Sequence, residues 1–392
     1  MTLADRWLLP DGVDESLPVQ AGRIENLRRA LLDLHHSWGY QLVIPPLLEY
    51  LDSLLTGAGS DLDNETFKVI DQLSGRMMGI RADFTSQVAR IDAHCLKGES
   101  IQRLCYCGSV LRTVPSGLDG TRSPIQLGAE LYGHGGVESD IEILSLMIET
   151  LSVVGISAPV LDLGHVDIVR DLMAVCDLTD FQRDTIAEFY KTKDLPELNR
   201  FVSSIDVSKE QSDWLNALPR LCGDASVLEK AALVLSGVSE KTDLALKELL
   251  LVKETVSLRF PDVRFHFDLS DLVSYNYHTG LVFAAYLPGY GNAIARGGRY
   301  NNIGEVFGRS RPATGFSADL KTLVMLSDGE VEKRPVVLAP TENDIALWDA
   351  VSKLRREGFK VVQALEGEIP AVDVDFKLIC VKGDWQTIAA DL

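Results

Sequence analysis

The segment that most constrains the fold carries two adjacent glycines, Gly297 and Gly298, inside a run of strand-forming residues. Residues 277–284 read Y-H-T-G-L-V-F-A, and the glycine pair follows within A-R-G-G-R-Y. Taken alone, two glycines indicate a turn or a bulge, and Tyr277 and His278 are compatible with half-buried strand positions. Because glycine lets a ligand approach the backbone closely, the combination favours the wall of a binding pocket.

Length and charge limit the class of protein. The chain has 392 residues, 46% of them hydrophobic, which suffices for a large domain and one or two smaller modules. Its net charge of -19 repels nucleic-acid phosphates, so a tRNA partner is disfavoured. The sequence has no apolar run that would span a bilayer and no secretory signal at its start. We therefore expect a soluble cytoplasmic protein with neither a nucleic-acid nor a membrane partner.

Cysteine and histidine spacing gives no indication of a metal centre. The six cysteines include no C-x-x-C pair, and the seven histidines form no H-E-x-x-H motif. We expect neither a metal ion nor another cofactor.

Hydrophobic periodicity in the first part of the chain indicates mixed helices and strands. The predicted elements are a helix at 18–38, a strand at 40–44, a hairpin at 68–80, a strand pair at 102–112 and 123–132, and a helix at 139–154. Because strands and helices do not alternate strictly, the pattern favours an α+β fold, with helices packed on an antiparallel sheet.

Composition divides the chain further. Residues 167–258 are rich in Leu, Ala, Lys and Glu, which predicts a helical insertion between two parts of one core, 1–166 and 259–330. Residues 331–392 predict a small C-terminal α/β module. Its helix, at 344–357, is expected to turn four apolar residues inward: Ile345, Trp348, Val351 and Leu354.

Three further motifs resemble those of class II aminoacyl-tRNA synthetases, in the family's order. V-I-P-P-L-L-E at 43–49 resembles the first, dimer-forming motif. Residues 106–112 and 122–130, Y-C-G-S-V-L-R and R-S-P-I-Q-L-G-A-E, resemble the second, and P-A-T-G-F-S-A-D-L at 312–320 resembles the third. The resemblance implies a class II synthetase-like antiparallel sheet flanked by helices, and self-association as a synthetase-like dimer.

Y-H-T-G-L-V-F-A and A-R-G-G-R-Y are similar to the signatures of histidyl-tRNA synthetases. This resemblance implies a site for histidine formed by Asp83, Thr85, Arg112, Gln126, Glu130, Tyr277, His278, Gly297 and Gly298. Two buried carboxylates need a cation beside them, and a histidine zwitterion supplies one. Other interpretations remain open: a solvated strand face for Gln126 and Glu130, a helix cap for Asp83, and a surface ion pair for Arg112.

Departures from the synthetase pattern affect the groups that handle the nucleotide. Amino-acid activation builds charge on phosphoryl oxygens, which fixed cations must stabilise. Arg112 keeps the phosphate-binding position of the second motif, but Val114, Thr322 and Val273 replace a glutamate and two arginines of the family pattern. Losing one such preorganised charge costs about 10²–10³ in rate, so we expect no catalytic residues and no turnover.

Together with the short C-terminal module, these features resemble the family of ATP phosphoribosyltransferase regulatory subunits. The resemblance implies a short-form catalytic subunit as partner in a hetero-octamer, activation of the first step of histidine biosynthesis, and feedback inhibition with histidine as the effector. Three alternatives remain open: an active histidyl-tRNA synthetase or related ATP-dependent carboxylate-activating enzyme, a nucleic-acid-binding paralogue, and an effector site at a subunit interface.

Overall fold

The computed structural model describes residues 7–56, 60–96, 98–115, 120–271, 278–301, 303, 308–327, 334–365 and 373–390. The chain divides into two compact units, residues 1–329 and residues 330–392. The finer division of the first unit into an interrupted core and a helical insertion at 167–258 stays a prediction.

The strands, in chain order, are β1 (Gln41–Leu42), β2 (Leu48–Tyr50), β3 (Phe67–Ile70), β4 (Met77–Ile80), β5 (Gln102–Ser109), β6 (Ile125–Tyr132), β7 (Val160–His165), β8 (Cys222–Gly223), β9 (Arg264–Asp268), β10 (Leu281–Tyr286), β11 (Ala293–Arg299), β12 (Ala313–Asp319), β13 (Val336–Ala339), β14 (Lys360–Gln363), β15 (Phe376–Val381) and β16 (Asp384–Ala389).

The α-helices are α1 (Pro18–Ser37), α2 (Leu51–Leu54), α3 (Ser60–Glu65), α4 (Thr85–Arg90), α5 (Val137–Val153), α6 (Val166–Val175), α7 (Asp180–Thr192), α8 (Leu195–Val202), α9 (Lys209–Ala217), α10 (Ser226–Val234), α11 (Glu240–Arg259), α12 (Leu320–Leu326) and α13 (Ile345–Arg356). A π-helical turn at Ile91–Leu96 follows α4, and a 3₁₀ turn at Leu218–Arg220 follows α9. Within the described ranges, no helix is both long enough and apolar enough to cross a membrane.

A large mixed sheet organises the first unit. Among the described residues it has nine strands in the order β1-β5-β6-β12-β11-β10-β7-β9-β8. Its central pairs are antiparallel, which confirms the predicted α+β class, whereas β1 with β5 and β7 with β9 run parallel. Strand β7, with the sequence V-L-D-L-G-H, was not predicted.

The two faces of this sheet differ in what covers them. Successive side chains of a strand point to opposite faces. On β6, Leu127, Ala129 and Leu131 join the main hydrophobic core with residues of α5, whereas Gln126 and Glu130 project from the other face. Helix α4 lies over that second face and packs in a smaller core. The sheet therefore has a helix-covered apolar face and an opposite face on which polar side chains are enclosed.

The helices α6 to α11 lie between Val166 and Arg259, and two of them, α7 and α9, begin with capping boxes. The side chains of Thr179 and Ser208 each accept a hydrogen bond from the third residue of the following helix, and Gln182 and Gln211 reciprocate. These capping boxes satisfy amide groups that the first turn leaves unpaired. Strand β8, between α9 and α10, returns from this helical stretch to the edge of the main sheet beside β9.

The second unit, described by itself, is a four-stranded sheet in the order β14-β13-β15-β16 with α13 against it. The predicted inward face of this helix was partly wrong. Ile345 and Trp348 are 81% and 57% exposed, whereas Leu347 is buried instead and Val351 is buried as predicted. Leu354 packs beside them, so the buried stripe follows the i, i+4, i+7 spacing from Leu347.

Candidate ligand-binding site

Glu130 is the centre of the polar cluster on the second face of the sheet. It lies on β6 and is 1% exposed. Its Oε1 accepts hydrogen bonds from Thr85 Oγ1 and from the Tyr106 hydroxyl, each at 3.1 Å, and its Oε2 accepts one from the Tyr300 hydroxyl. The partners that the structure gives this carboxyl group within the described residues are thus uncharged hydroxyls.

Burial controls the protonation of this carboxyl group. Removal from water raises the pKa of Glu130 to about 8, the nearby Asp83 carboxylate adds to the rise, and the hydroxyl donors oppose it. With these neighbours alone, Glu130 is mostly protonated at neutral pH. A cationic group placed against it would favour the ionised form and form a strong charge-assisted hydrogen bond.

Asp83 and Gln126 extend the cluster toward the start of α4. Gln126 Nε2 donates to Asp83 Oδ2 at 2.6 Å, and Gln126 Oε1 accepts from the Phe84 amide at 3.1 Å. Asp83 Oδ1 accepts from the amide of Thr85, the first residue of α4, at 2.7 Å. The structure therefore brings Asp83, Thr85, Gln126 and Glu130 into one hydrogen-bonded network, and Asp83 also satisfies a helix amide.

Glycines on the neighbouring strands make room for this network. A Cβ atom at Gly315 would overlap the carboxyl group of Glu130, and one at Gly128 would overlap the ring of Tyr106. A Cβ at Gly298 would lie 2.7 Å from His278 Cδ2. Gly315, Gly128 and Gly298 lie on β12, β6 and β11, on the same face of the sheet. The side chains above these glycines therefore pack directly against the backbone.

The adjacent glycines Gly297 and Gly298, which the sequence analysis assigns to a pocket wall, face opposite sides of the sheet. Gly298 lies under His278, whereas a Cβ at Gly297 would come within 2.6 Å of the Phe283 ring in the hydrophobic core. Arg299, the next residue, forms a buried ion pair with Asp140 at 2.8 Å. This pair ties the end of β11 to α5 and so positions the following Tyr300.

Arg112 lies apart from the Glu130 network, on a neighbouring open cavity of about 340 Å³ that Gln126 also lines. Its Nε donates to the Ala82 carbonyl at 3.3 Å and lies 3.7 Å from Glu65 Oε2. Among the described residues that line the cavity, the charged ones are Glu65, Arg112, Arg296 and Asp319. Two cations and two anions leave this lining with no net formal charge.

The substituted nucleotide positions are occupied by local interactions. Thr322 Oγ1 donates to Asp319 Oδ2 at 2.8 Å, and the preceding residue, Lys321, forms an ion pair through Nζ with Asp14 Oδ2 at 2.9 Å. Val114 is 56% exposed, and Val273 lies outside the described residues. Thr322 carries no charge, and the Lys321 ammonium group is paired with Asp14, so neither residue supplies an available positive charge to the cavity. The described residues also include no cluster of metal-binding side chains.

Two residues of the network were missed by sequence reasoning, and one predicted residue is not described. Tyr106 and Tyr300 both donate to Glu130, although the sequence motifs containing them were recognised. The signal that would find Tyr106 is strand alternation, since Tyr106 pairs with Gly128, two residues from Glu130 on β6. Tyr277 lies outside the described residues, so its role in binding histidine stays a prediction.

Comparison with known proteins finds matches along most of the chain. The family model for histidyl-tRNA synthetase matches residues 12–323. The model for the ATP phosphoribosyltransferase subunit HisZ C-terminal domain matches residues 334–388. An ATP phosphoribosyltransferase regulatory subunit from Marinomonas sp. (strain MWYL1) is 65% identical over 387 residues, 98% of each chain.

The chain belongs to the ATP phosphoribosyltransferase regulatory subunit family.

Further relatives agree with this membership. A regulatory subunit of the same name from Thioalkalivibrio sulfidiphilus is 53% identical, over 94% of this chain and 93% of the relative. The solved ATP phosphoribosyltransferase regulatory subunit/histidyl-tRNA synthetase from Bacillus halodurans is 28% identical with a TM-score of 0.81, over 93% and 94% of the two chains. A histidyl-tRNA synthetase from Nostoc sp. PCC 7120, 19% identical, has a TM-score of 0.78 over 98% and 97%. The class II synthetase-like fold is thereby confirmed.

The substitution Gly315→Ala should destabilise the folded regulatory subunit. The added methyl group would displace Glu130 and would lie 2.8 Å from the Ala129 carbonyl. Overpacking of this kind costs about 1–3 kcal/mol. Urea denaturation measures the loss. Gly291→Ala is the control, since a Cβ there meets nothing within 4 Å. Equal stability of the two variants would contradict the described packing.

The stability of the folded chain should depend on the charge of Glu130. Its folded pKa of about 8 lies above the ordinary value of 4.5, so the folded state holds the proton more tightly. The Glu130 contribution to stability is therefore present below 4.5 and is lost as pH rises toward 8.

Glu130→Gln keeps the size of the side chain and removes the titration. The stability of the natural chain relative to this variant should fall between about pH 5 and about pH 8.5, as measured by chemical denaturation without ligand. A difference that stays constant over this range would show that Glu130 is not held protonated.

Proposed function

We propose that the chain is a noncatalytic regulatory subunit that activates a short-form ATP phosphoribosyltransferase catalytic subunit in the first step of histidine biosynthesis. Histidine is the feedback effector and binds at the Glu130 network. The assembly is a cytoplasmic hetero-octamer built on synthetase-like dimers of this chain.

The observation that carries this proposal is the buried carboxyl group of Glu130, held by hydroxyls and beside Asp83. Such a group binds an ammonium or imidazolium ion far better than a neutral ligand, because the ligand supplies the missing positive charge. Histidine offers both cationic groups on one small molecule. The nearby Gln126 amide and Thr85 hydroxyl provide hydrogen-bonding groups for the polar atoms of a bound amino acid.

The adjoining cavity supports a noncatalytic role. A nucleotide triphosphate carries several negative charges, and the described lining offers Arg112 and Arg296 against Glu65 and Asp319. Arg112 also forms an ion pair with Glu65, at 3.7 Å. Stabilising a phosphoryl transition state requires an excess of fixed positive charge, which this lining does not provide.

Exposed apolar residues before and within β2 support self-association. Ile44 is 82% exposed, and Leu47 and Leu48 are 47% and 41% exposed. They belong to the segment that resembles the dimer-forming motif of class II synthetases. Contiguous exposed apolar residues of this kind mark protein interfaces, and a second copy of this chain is the partner that the resemblance favours.

Removing the ability of Glu130 to ionise should weaken histidine binding. Glu130→Gln keeps the shape but replaces a charge-assisted hydrogen bond worth about 1.5–3 kcal/mol, so the Kd should rise by about 10- to 150-fold. Isothermal titration measures this for the chain alone and for its complex with a catalytic subunit. Glu229→Gln, at an exposed position of α10, is the matched control and should leave the Kd unchanged.

Unchanged histidine affinity in Glu130→Gln would contradict the placement of the effector. Binding that requires the catalytic subunit and ignores Glu130 would instead locate histidine at a subunit interface.

Reconstitution with a short-form catalytic subunit tests the function itself. The chain should co-purify with that subunit, raise its ATP phosphoribosyltransferase activity, and make the activity sensitive to histidine. A coupling free energy of about 1–3 kcal/mol corresponds to a 5- to 150-fold effect. The chain alone should show no histidine-dependent exchange of pyrophosphate into ATP.

Two results would overturn the proposal. Pyrophosphate exchange by the purified chain would make it an amino-acid-activating enzyme. A complex whose activity is the same with and without this chain would remove its regulatory role.

A further inference from the structure

A second cluster of reactive side chains lies at the opposite edge of the main sheet, outside the Glu130 network. The Cys222 sulfur is 3.5 Å from His266 Nε2, and His266 Nδ1 is 2.8 Å from Asp162 Oδ1. The three residues stand on β8, β9 and β7. Each is accessible, since Cys222 is exposed and the side chains of His266 and Asp162 are 40% and 25% exposed.

The strand register explains why residues so distant in sequence meet. Asp162 and His266 are directly paired on the parallel strands β7 and β9. Cys222 is paired with Asp268, two residues beyond His266 on the same face of β9. Neighbouring strands lie about 4.8 Å apart, so three side chains on one face of three adjacent strands come within hydrogen-bond reach.

The order of the contacts gives each residue a chemical role. An ionised carboxylate only accepts hydrogen bonds, so Asp162 fixes the proton of His266 on Nδ1. The lone pair of Nε2 then faces the thiol of Cys222. A nucleophile, a base within reach of its proton, and a third group that orients the base together form the arrangement that activates a nucleophile.

The charged surroundings select the reactant. Among the described residues, the titratable groups around this cluster include Asp268, Asp271, Lys193 and Tyr286, and Arg296 acts on Tyr286. Lys193 is paired with Asp268 at 2.6 Å, so negative charge predominates. An anionic disulfide is repelled by such a surface, whereas a small uncharged molecule is not.

We propose that Cys222 is a modification site for small uncharged electrophiles, with hydrogen peroxide as the reactant class, and that His266 serves as its base. In the reaction, sulfur attacks one peroxide oxygen, an S–O bond forms and the O–O bond breaks. His266 Nε2 takes the thiol proton and passes it to the leaving hydroxide, which departs as water. Sulfur is oxidised to a sulfenic acid and the peroxide is reduced.

Burial and the nearby Asp268 raise the pKa of the Cys222 thiol, so the free thiolate is scarce at neutral pH. The reaction consequently depends on proton transfer to His266. With His266 as the base, the rate should rise at a lower pH than an unassisted thiol requires.

The test uses the whole chain treated with hydrogen peroxide at neutral pH, with dimedone to trap the sulfenic acid and peptide mass spectrometry to measure each cysteine. Cys380, an exposed thiol on β15 opposite Trp385, is the internal reference. Cys222 should react about 100-fold faster, the lower end of what a positioned base contributes. His266→Gln should reduce Cys222 to the rate of Cys380, and Asp162→Asn should give an intermediate rate.

Equal rates at Cys222 and Cys380 would overturn the proposal, as would an unchanged Cys222 rate in folded His266→Gln. Should that variant not fold, the pH profile of the natural chain decides, because a Cys222 rate that rises only with thiol ionisation excludes a base. The outcome is independent of histidine binding at the Glu130 network, so its failure leaves the proposed regulatory function untouched.

Discussion

The structure of the candidate site depends on one costly arrangement, the burial of the Glu130 carboxyl group beside a second acidic residue. Burial raises its pKa to about 8, and three hydroxyl groups hold it. Gly315 leaves the space beneath it, and α4 closes over the same face of the sheet. In our proposal, a ligand supplies the opposing charge that compensates the desolvation of the ionised carboxylate.

This constraint explains how a synthetase-like body can serve regulation. Binding a free amino acid and activating it with a nucleotide require different charges. The first is favoured by acids in the site, here the buried Glu130 and the half-buried Asp83, whereas the second needs an excess of cations around phosphates. The acids are present in one network, and the described cavity beside them has balanced charge. In our proposal, histidine therefore binds without reacting, and its binding energy is available to bias the assembly.

The sequence predicted the parts of this structure that depend on local patterns. The hairpin of β3 and β4, the long strands β5 and β6, and α1 follow from periodicity and turn residues. Contacts that depend on which strands become neighbours were not predictable. Cys222, His266 and Asp162 come together only because β7, β9 and β8 lie side by side, and no spacing in the sequence signals this.

The candidate site shows the same division. The motif resemblance predicted one site that includes Asp83, Thr85, Gln126 and Glu130, and the structure joins these four residues in one hydrogen-bonded network. It did not indicate that Tyr300 would donate to Glu130, since that contact depends on Arg299 pairing with Asp140 on α5. It also treated Gly297 and Gly298 as one pocket wall, although strand alternation places them on opposite faces.

Infrared difference spectroscopy of the histidine-bound against the free chain tests the central claim most directly, because it reports the protonation of a single carboxyl group. We predict that the free chain shows the carbonyl band of a protonated buried carboxylic acid, that histidine converts it to a carboxylate band, and that Glu130→Gln shows neither. A free chain without that band, or a band unaffected by saturating histidine, would contradict the account.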